Sequence, residues 1–186
     1  MNSKTSEKKE AKKGDEKNKK KSSFLKEHLR VPPNNTDAEI SVLGSLMIDK
    51  DAITKIADVL QAEDFYEERN GEIFDSILSL YSEQMPLDIL SVSSRLKDRG
   101  VLKQIGGKTY LTELINAVPT ASNVVSYAKL VRQKSLLRKL ITAAADIVEM
   151  GYEENRAIDE ILDEAERKLF AVSQRSIKQD FAPINQ

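Results

Sequence analysis

The sequence of 186 residues predicts an all-α protein, a compact helical head followed by a long antiparallel helical hairpin. Three observations carry that expectation. Apolar residues recur at spacings of three and four along nearly all of the chain after residue 34. No stretch sustains period-two alternation with β-branched residues, and Asp, Gly and Pro punctuate the pattern where helices start and stop.

Val31-Pro32-Pro33-Asn34-Asn35 opens the folded region in an extended conformation, because each proline fixes φ and disfavours helix at the residue before it. Thr36 is an N-cap candidate with Glu39 three residues on, a capping box, and Ile40, Leu43, Leu46 and Met47 form one buried face. Asp49 or Asp51 caps a short second helix through Ile53, Ile56, Ala57 and Leu60, after which Phe65 and Tyr66 are aromatic plugs of the core. A third helix spans roughly 68 to 83, with Ile73, Phe74, Ile77, Leu78 and Tyr81 inward, and Met85-Pro86 stops it. Asp88 opens a fourth helix carrying Ile89, Val92 and Leu96, closed by Gly100 in the left-handed conformation. Gly106-Gly107 turns the chain into a helix with Tyr110, Leu111, Leu114 and Ile115, which Pro119 ends.

From about Ser122 to Met150 the residues Val124, Tyr127, Val131, Leu137, Ile141, Ala144 and Val148 keep helical spacing over about 43 Å, more than a small globule needs. Gly151 breaks this arm. A second follows with Ile158, Ile161, Leu162, Ala165, Leu169 and Val172. Leu130, Leu136, Leu140 and Ile147 widen the apolar band of the first arm beyond what one partner helix covers. Together with Ile158, Ile161, Leu162 and Leu169 they are the candidate interface residues. The expected organisation is a disordered Lys-rich tail over 1–30, the head over 31–120, the hairpin over 121–174 and the start of a linker over 175–186.

Composition narrows function. The chain has no Cys and a single histidine, His28, which excludes disulfides, thiolate metal sites and paired catalytic imidazoles. No apolar run approaches the ~20 residues of a membrane span, and no hydrophobic segment follows the N-terminal lysines to serve as a signal peptide. The expectation is a soluble, cytoplasmic protein. Its net charge of −1 combines a segment over 1–23 with nine Lys and four acids and a remainder of about −6.

The string Gly106-Gly107-Lys108-Thr109 copies the end of a phosphate loop. However, Leu102 stands where the first glycine belongs, and a charged helix precedes it where a buried strand is required. It reads as a turn that opens a helix. The carboxylate pairs Glu63/Asp64, Glu67/Glu68, Glu153/Glu154 and Asp163/Glu164 are sequence neighbours, which point about 100° apart on a helix, so they read as solvated faces. Asp159 and Asp163 form an acidic strip at i and i+4. Ser91, Ser93 and Ser94 lack a His partner and a nucleophile elbow. No catalytic, cofactor-binding or metal-ligating residue is assigned. A nucleic-acid-binding adaptor remains open as an alternative, with the lysines between Lys8 and Lys21, notably Lys19, Lys20 and Lys21, as a weak, non-specific phosphate-contacting arm.

Several strings in order resemble one family. They are Val31-Pro32-Pro33-Asn34, Ala38-Glu39, Ser41-Val42-Leu43-Gly44, Asp64-Phe65-Tyr66, Ile73-Phe74, Pro86-Leu87-Asp88, Leu102 with Gly106-Gly107, Tyr110-Leu111 with Leu114, Pro119-Thr120-Ala121 with Asn123, and Tyr127-Ala128. Collinear over about residues 31 to 173, they resemble the N-terminal domain of the bacterial replicative DNA helicase, DnaB. The resemblance implies a helical head and hairpin, and dimers formed through hairpins and gathered on a hexameric ring. It further implies docking of the primase, with a helicase loader as another partner. It also implies that ATP and Mg²⁺ belong to an ATPase domain outside these residues, so that this chain alone is expected to act as a non-catalytic assembly and primase-docking domain.

Overall fold

The computed structural model describes residues 31–177, and within them the secondary structure is helical with no strand. Helix α1 (Thr36–Ile48) is followed by 3₁₀ turns at Ile53–Lys55 and Ala62–Asp64, then by α2 (Glu68–Ser82), α3 (Ile89–Asp98) and α4 (Gly107–Asn116). A third 3₁₀ turn, Ala121–Asn123, leads into α5 (Val124–Met150), and α6 (Ile158–Ile177) returns along it. The expected tail over 1–30, with Lys19, Lys20 and Lys21, lies outside the described residues. The expected linker does so from residue 178 onward; α6 itself runs past residue 174 to Ile177.

The cap of α1 differs from the expected one. Asn35, not Thr36, is the N-cap, its side chain accepting from the Ala38 amide at 3.0 Å. Glu39 forms no capping box with its own helix. It is buried, at 1% exposure, and accepts from the Tyr66 amide at 2.6 Å, the Glu67 amide at 3.3 Å and Asn70 Nδ2 at 2.9 Å. The start of α2 has no side-chain cap of its own, so the carboxylate satisfies orphan donors there and places negative charge at the positive end of that helix. Tyr110 extends the link to α4 by donating its hydroxyl to Asn70 Oδ1 at 2.7 Å.

The short second helix is instead a 3₁₀ turn with irregular flanks. Asp49 spends its side chain on the Asp51 amide at 2.9 Å, an Asx turn rather than a helix cap. Its apolar residues still do their work, since Ile53, Ile56 and Leu60 are fully buried. Phe65 packs on Phe74 with ring centroids 5.0 Å apart, whereas Tyr66 and Tyr81 lie at the surface. Helix α2 ends before Met85-Pro86. Gln84 adopts a left-handed φ of 57°, and the Met85 amide returns to the Leu80 carbonyl at 2.9 Å. That turn leaves Tyr81 beyond the edge of the core that Leu80 and Leu87 close. Asp88 caps α3 as expected, accepting from the Ser91 amide at 2.8 Å, and Gly100 takes a φ of 77° just past its end.

The head closes around α1. Val42, Leu43 and Leu46 share one buried core with Phe74 and Ile77 of α2, Leu96 of α3, Leu111 and Leu114 of α4, and Val124, Ala128 and Val131 from the first turns of α5. The contact of α1 with α4 has no room for a side chain at residue 44: a Cβ there would stand 2.2 Å from the Leu114 carbonyl oxygen. Gly44→Ala must therefore move backbone against backbone. We expect it to destabilise the protein by about 3 kcal/mol, the upper part of the overpacking range; a urea midpoint unchanged from wild type would contradict this contact.

Candidate docking surface on the helical hairpin

Beyond Val131 the face of α5 turned to the head changes from apolar to polar. Arg132, Ser135, Arg138 and Lys139 continue the stripe of Val124, Ala128 and Val131 at helical spacing, and they converge on the 3₁₀ turn that ends at Asp64. Asp64 is fully buried. Its carboxylate accepts from Arg132 Nη1 at 2.8 and 3.0 Å, Ser135 Oγ at 2.7 Å, Lys139 Nζ at 2.6 Å and the Gln61 amide at 3.0 Å. Arg138 donates to two carbonyls, Asp64 O at 2.6 Å and Pro33 O at 2.8 Å, tying the start of the described fold to the same point. Burial alone pushes the Asp64 carboxyl up. Hydrogen bonds from Lys139, Ser135 and the Gln61 amide, together with the charge of Arg132, outweigh it and hold the carboxyl below its ordinary value. Asp64 thus corrects the expectation that the Glu63/Asp64 pair is solvated. The clue in the sequence was the polar continuation of an apolar stripe on α5.

Because polar groups dock α5 on the head, its apolar residues end up elsewhere. Leu137, Ile141 and Val148, which keep the helical spacing of Val124 and Val131, are exposed, as are Leu130 and Leu140. Leu136 and Ile147 are half-buried, and Ala143 and Met150 are buried, on the side toward α6. Residues 130, 137, 141, 144 and 148 are separated by seven, four, three and four, so they line one face of α5 at the spacing of a coiled-coil seam. On α6, Ile161 is half-buried against α5, while Ile158, Leu162 and Leu169 stand exposed at 65%, 56% and 46%. Tyr152 at the hairpin tip and Phe170 on α6 are also exposed, and neither was among the expected interface residues. The hairpin is clamped across its arms by Lys168 to Asp146 at 2.7 Å and at its tip by Arg156 to Glu153 and Glu164 at 3.0 and 2.7 Å.

The Gly106-Gly107 turn does not have the geometry of a phosphate loop. Gly106 and Gly107 open α4 with φ of 101° and 70°, and their amides already bond to the Lys103 and Leu102 carbonyls at 3.3 and 2.9 Å, so they are not free to cradle a phosphate. Lys108 is exposed on the first turn of that helix. Among the described residues no three His, Asp or Glu side chains gather where they could hold a metal ion. Nor is any described helix long and apolar enough to cross a membrane.

The described residues thus form an all-α head followed by a helical hairpin whose α5 carries an exposed apolar seam. Residues 31–133 match the family model for the DnaB-like helicase N terminal domain, and the chain belongs to that family. It is 42% identical over 146 residues to the replicative DNA helicase DnaB of Geobacillus stearothermophilus, which covers 78% of this chain and 32% of that protein. It is 38% identical over 155 residues to the replicative DNA helicase DnaC of Bacillus subtilis (strain 168), covering 83% and 34%. The chain thus spans about a third of the length of these relatives. Its fold matches the crystal structure of the N-terminal domain of DnaB helicase from Mycobacterium tuberculosis with a TM-score of 0.73, at 40% identity and over 76% of this chain and 99% of that one. A DnaB-like replicative helicase, described with its interactions with primase, matches with a TM-score of 0.64 at 26% identity over 76% of this chain and 31% of that chain.

The Asp64 network generates a stability test. Asp64→Ala removes the acceptor that Arg132, Ser135 and Lys139 share inside the fold and is expected to cost about 3–5 kcal/mol. The lowered carboxyl has a signed pH consequence: its contribution is fully present above about pH 4, the ordinary carboxylate range, and is lost as pH falls through the depressed folded-state value. Urea unfolding of wild type and Asp64→Asn should therefore differ at neutral pH and converge in acid. A gap that stays constant down to pH 2 would refute this assignment.

Proposed function

We infer that this chain is the assembly and partner-docking part of a replicative DNA helicase, in which the hairpin joins copies and offers a surface to primase. The observation that carries this is the apolar seam of α5, Leu130, Leu137, Ile141 and Val148, which neither the head nor α6 covers. An apolar strip of this length in water is characteristic of an interaction site. Membership of the family supports the replication context, and the relatives described with primase support the choice of partner. In the full-length family, ATP and Mg²⁺ belong to an ATPase domain outside this chain, and dimers joined through hairpins build the hexamer.

Light scattering at high micromolar concentration should show dimers or larger species of the chain. The double variant Leu137→Asp and Ile141→Asp alters exposed positions only; it should keep its helical circular dichroism and become monomeric. A wild-type chain that is strictly monomeric and also ignores the primase C-terminal domain would overturn the assignment. Since the Gly106-Gly107 amides are engaged within the fold, the chain alone should give no ATP turnover, and Lys108→Ala should change nothing. Turnover that disappears in Lys108→Ala would establish a nucleotide site.

A further inference from the structure

The polar joint between α5 and the head carries more positive charge than the carboxylate bonded to it balances. Asp64 already answers two cations, Arg132 and Lys139. Arg138, half-buried on the same face, donates to the Pro33 and Asp64 carbonyls and lies 5.7 Å from the centroid of the Tyr66 ring; among the described residues no carboxylate is paired with it. Carbonyls satisfy its hydrogens but leave its charge uncompensated, and a partly desolvated charge favours a counter-ion. Arg138 and Lys139 form one wall of an open groove of about 320 Å³. Ala143 and Asp146 continue that side, and Lys168 and Ala171 of α6 stand opposite. Lys168 and Asp146 pair at 2.7 Å and cancel each other, so the positive excess is that of Arg138 and of Lys139, whose carboxylate is shared with Arg132. The two alanines place nothing beyond Cβ in the way of a ligand.

We propose that this groove is a binding site for a small phosphate-bearing anion, held at a phosphoryl group by Arg138 and Lys139 with Lys168 across from them. The side chains select that class of ligand. A guanidinium offers paired N–H donors to phosphoryl oxygens, and an ammonium adds point charge. Lys139 and Lys168 are each held by one carboxylate oxygen, at 2.6 and 2.7 Å, so each keeps N–H donors for a ligand. The volume lies at the small end of the range for small-molecule sites and suits a mono- or diphosphate. The position of the groove gives binding a consequence. Lys139 ties α5 to the head through Asp64, and Lys168 ties α6 to α5 through Asp146, so an anion shared by the two lysines links both clamps and reinforces the hold of the hairpin on the head.

Titration of the full chain with inorganic phosphate and with pyrophosphate, against sodium chloride of equal ionic strength, tests this. Amide resonances of residues 138–146 and 168–171 should shift and saturate, and pyrophosphate should raise the urea midpoint because it binds the folded state. Ala171→Glu, at an exposed helical position, puts a carboxylate into the groove without removing either clamp, and Arg138→Gln removes the uncompensated charge. Each should bind pyrophosphate roughly tenfold or more weakly, the worth of one lost hydrogen bond to a charged group, with helical circular dichroism retained. Lys129→Gln, at an exposed lysine outside the groove, should bind as wild type does. Three results would overturn the proposal: binding that survives Ala171→Glu, shifts that never saturate or that spread over exposed lysines elsewhere, and binding of oligodeoxythymidylate with none of phosphate or pyrophosphate.

Discussion

A carboxylate taken wholly out of water is costly unless charge and hydrogen bonds replace its hydration, and that requirement at Asp64 organises the structure. The partners it needs come from one helix: Arg132, Ser135 and Lys139 are on α5, from the residue after Val131 to about two turns beyond it. To supply them α5 must lie at one rotation and one height against the 3₁₀ turn at Ala62–Asp64. Arg138 adds bonds to the Asp64 and Pro33 carbonyls from the same face. Apolar packing tolerates small slides because it has no preferred direction; a guanidinium Nη1 shared between both oxygens of one buried carboxylate, with an ammonium beside it, does not.

The rotation so imposed decides what the hairpin presents to solvent. With the polar stripe turned to the head and Ala143 and Met150 turned to α6, a third face of α5 is left with Leu130, Leu137, Ile141 and Val148. The head is thus more than a support. By orienting α5 through Asp64 it selects which side chains stay exposed. A second buried carboxylate has a similar part inside the head, where Glu39 joins α1 to the start of α2 and, through Asn70, to Tyr110 of α4. Both acids sit where helix ends and loops leave backbone or cationic donors unsatisfied, so each connects elements that a purely apolar core would let shift.

Much of this was legible before the structure. Asp88 with Ile89, Val92 and Leu96, Gly100 past the end of α3, and the double glycine ahead of Tyr110 and Leu111 act locally, within one turn of the residues they affect, and local preferences survive into the fold. The expectations that missed share a different property. Thr36 and Glu39 satisfy the capping-box pattern, yet Asn35 makes the cap and Glu39 leaves for α2, because donors distant in sequence were in greater need. Leu137, Ile141 and Val148 keep helical spacing, yet they face outward because the buried side of α5 is made of polar residues there. Hydrophobic periodicity identifies a buried face only where burial is apolar.

The sequence by itself determined that the chain is helical, where most of its helices begin and end, and that two long arms follow the head. Each of these depends on spacing or composition along the chain. Only the tertiary structure decided which carboxylates are interior, which face of α5 meets the head, and therefore which apolar residues remain for a partner. Those outcomes depend on donors and acceptors brought together across separations such as the 68 residues between Asp64 and Arg132, and no local pattern encodes such a meeting.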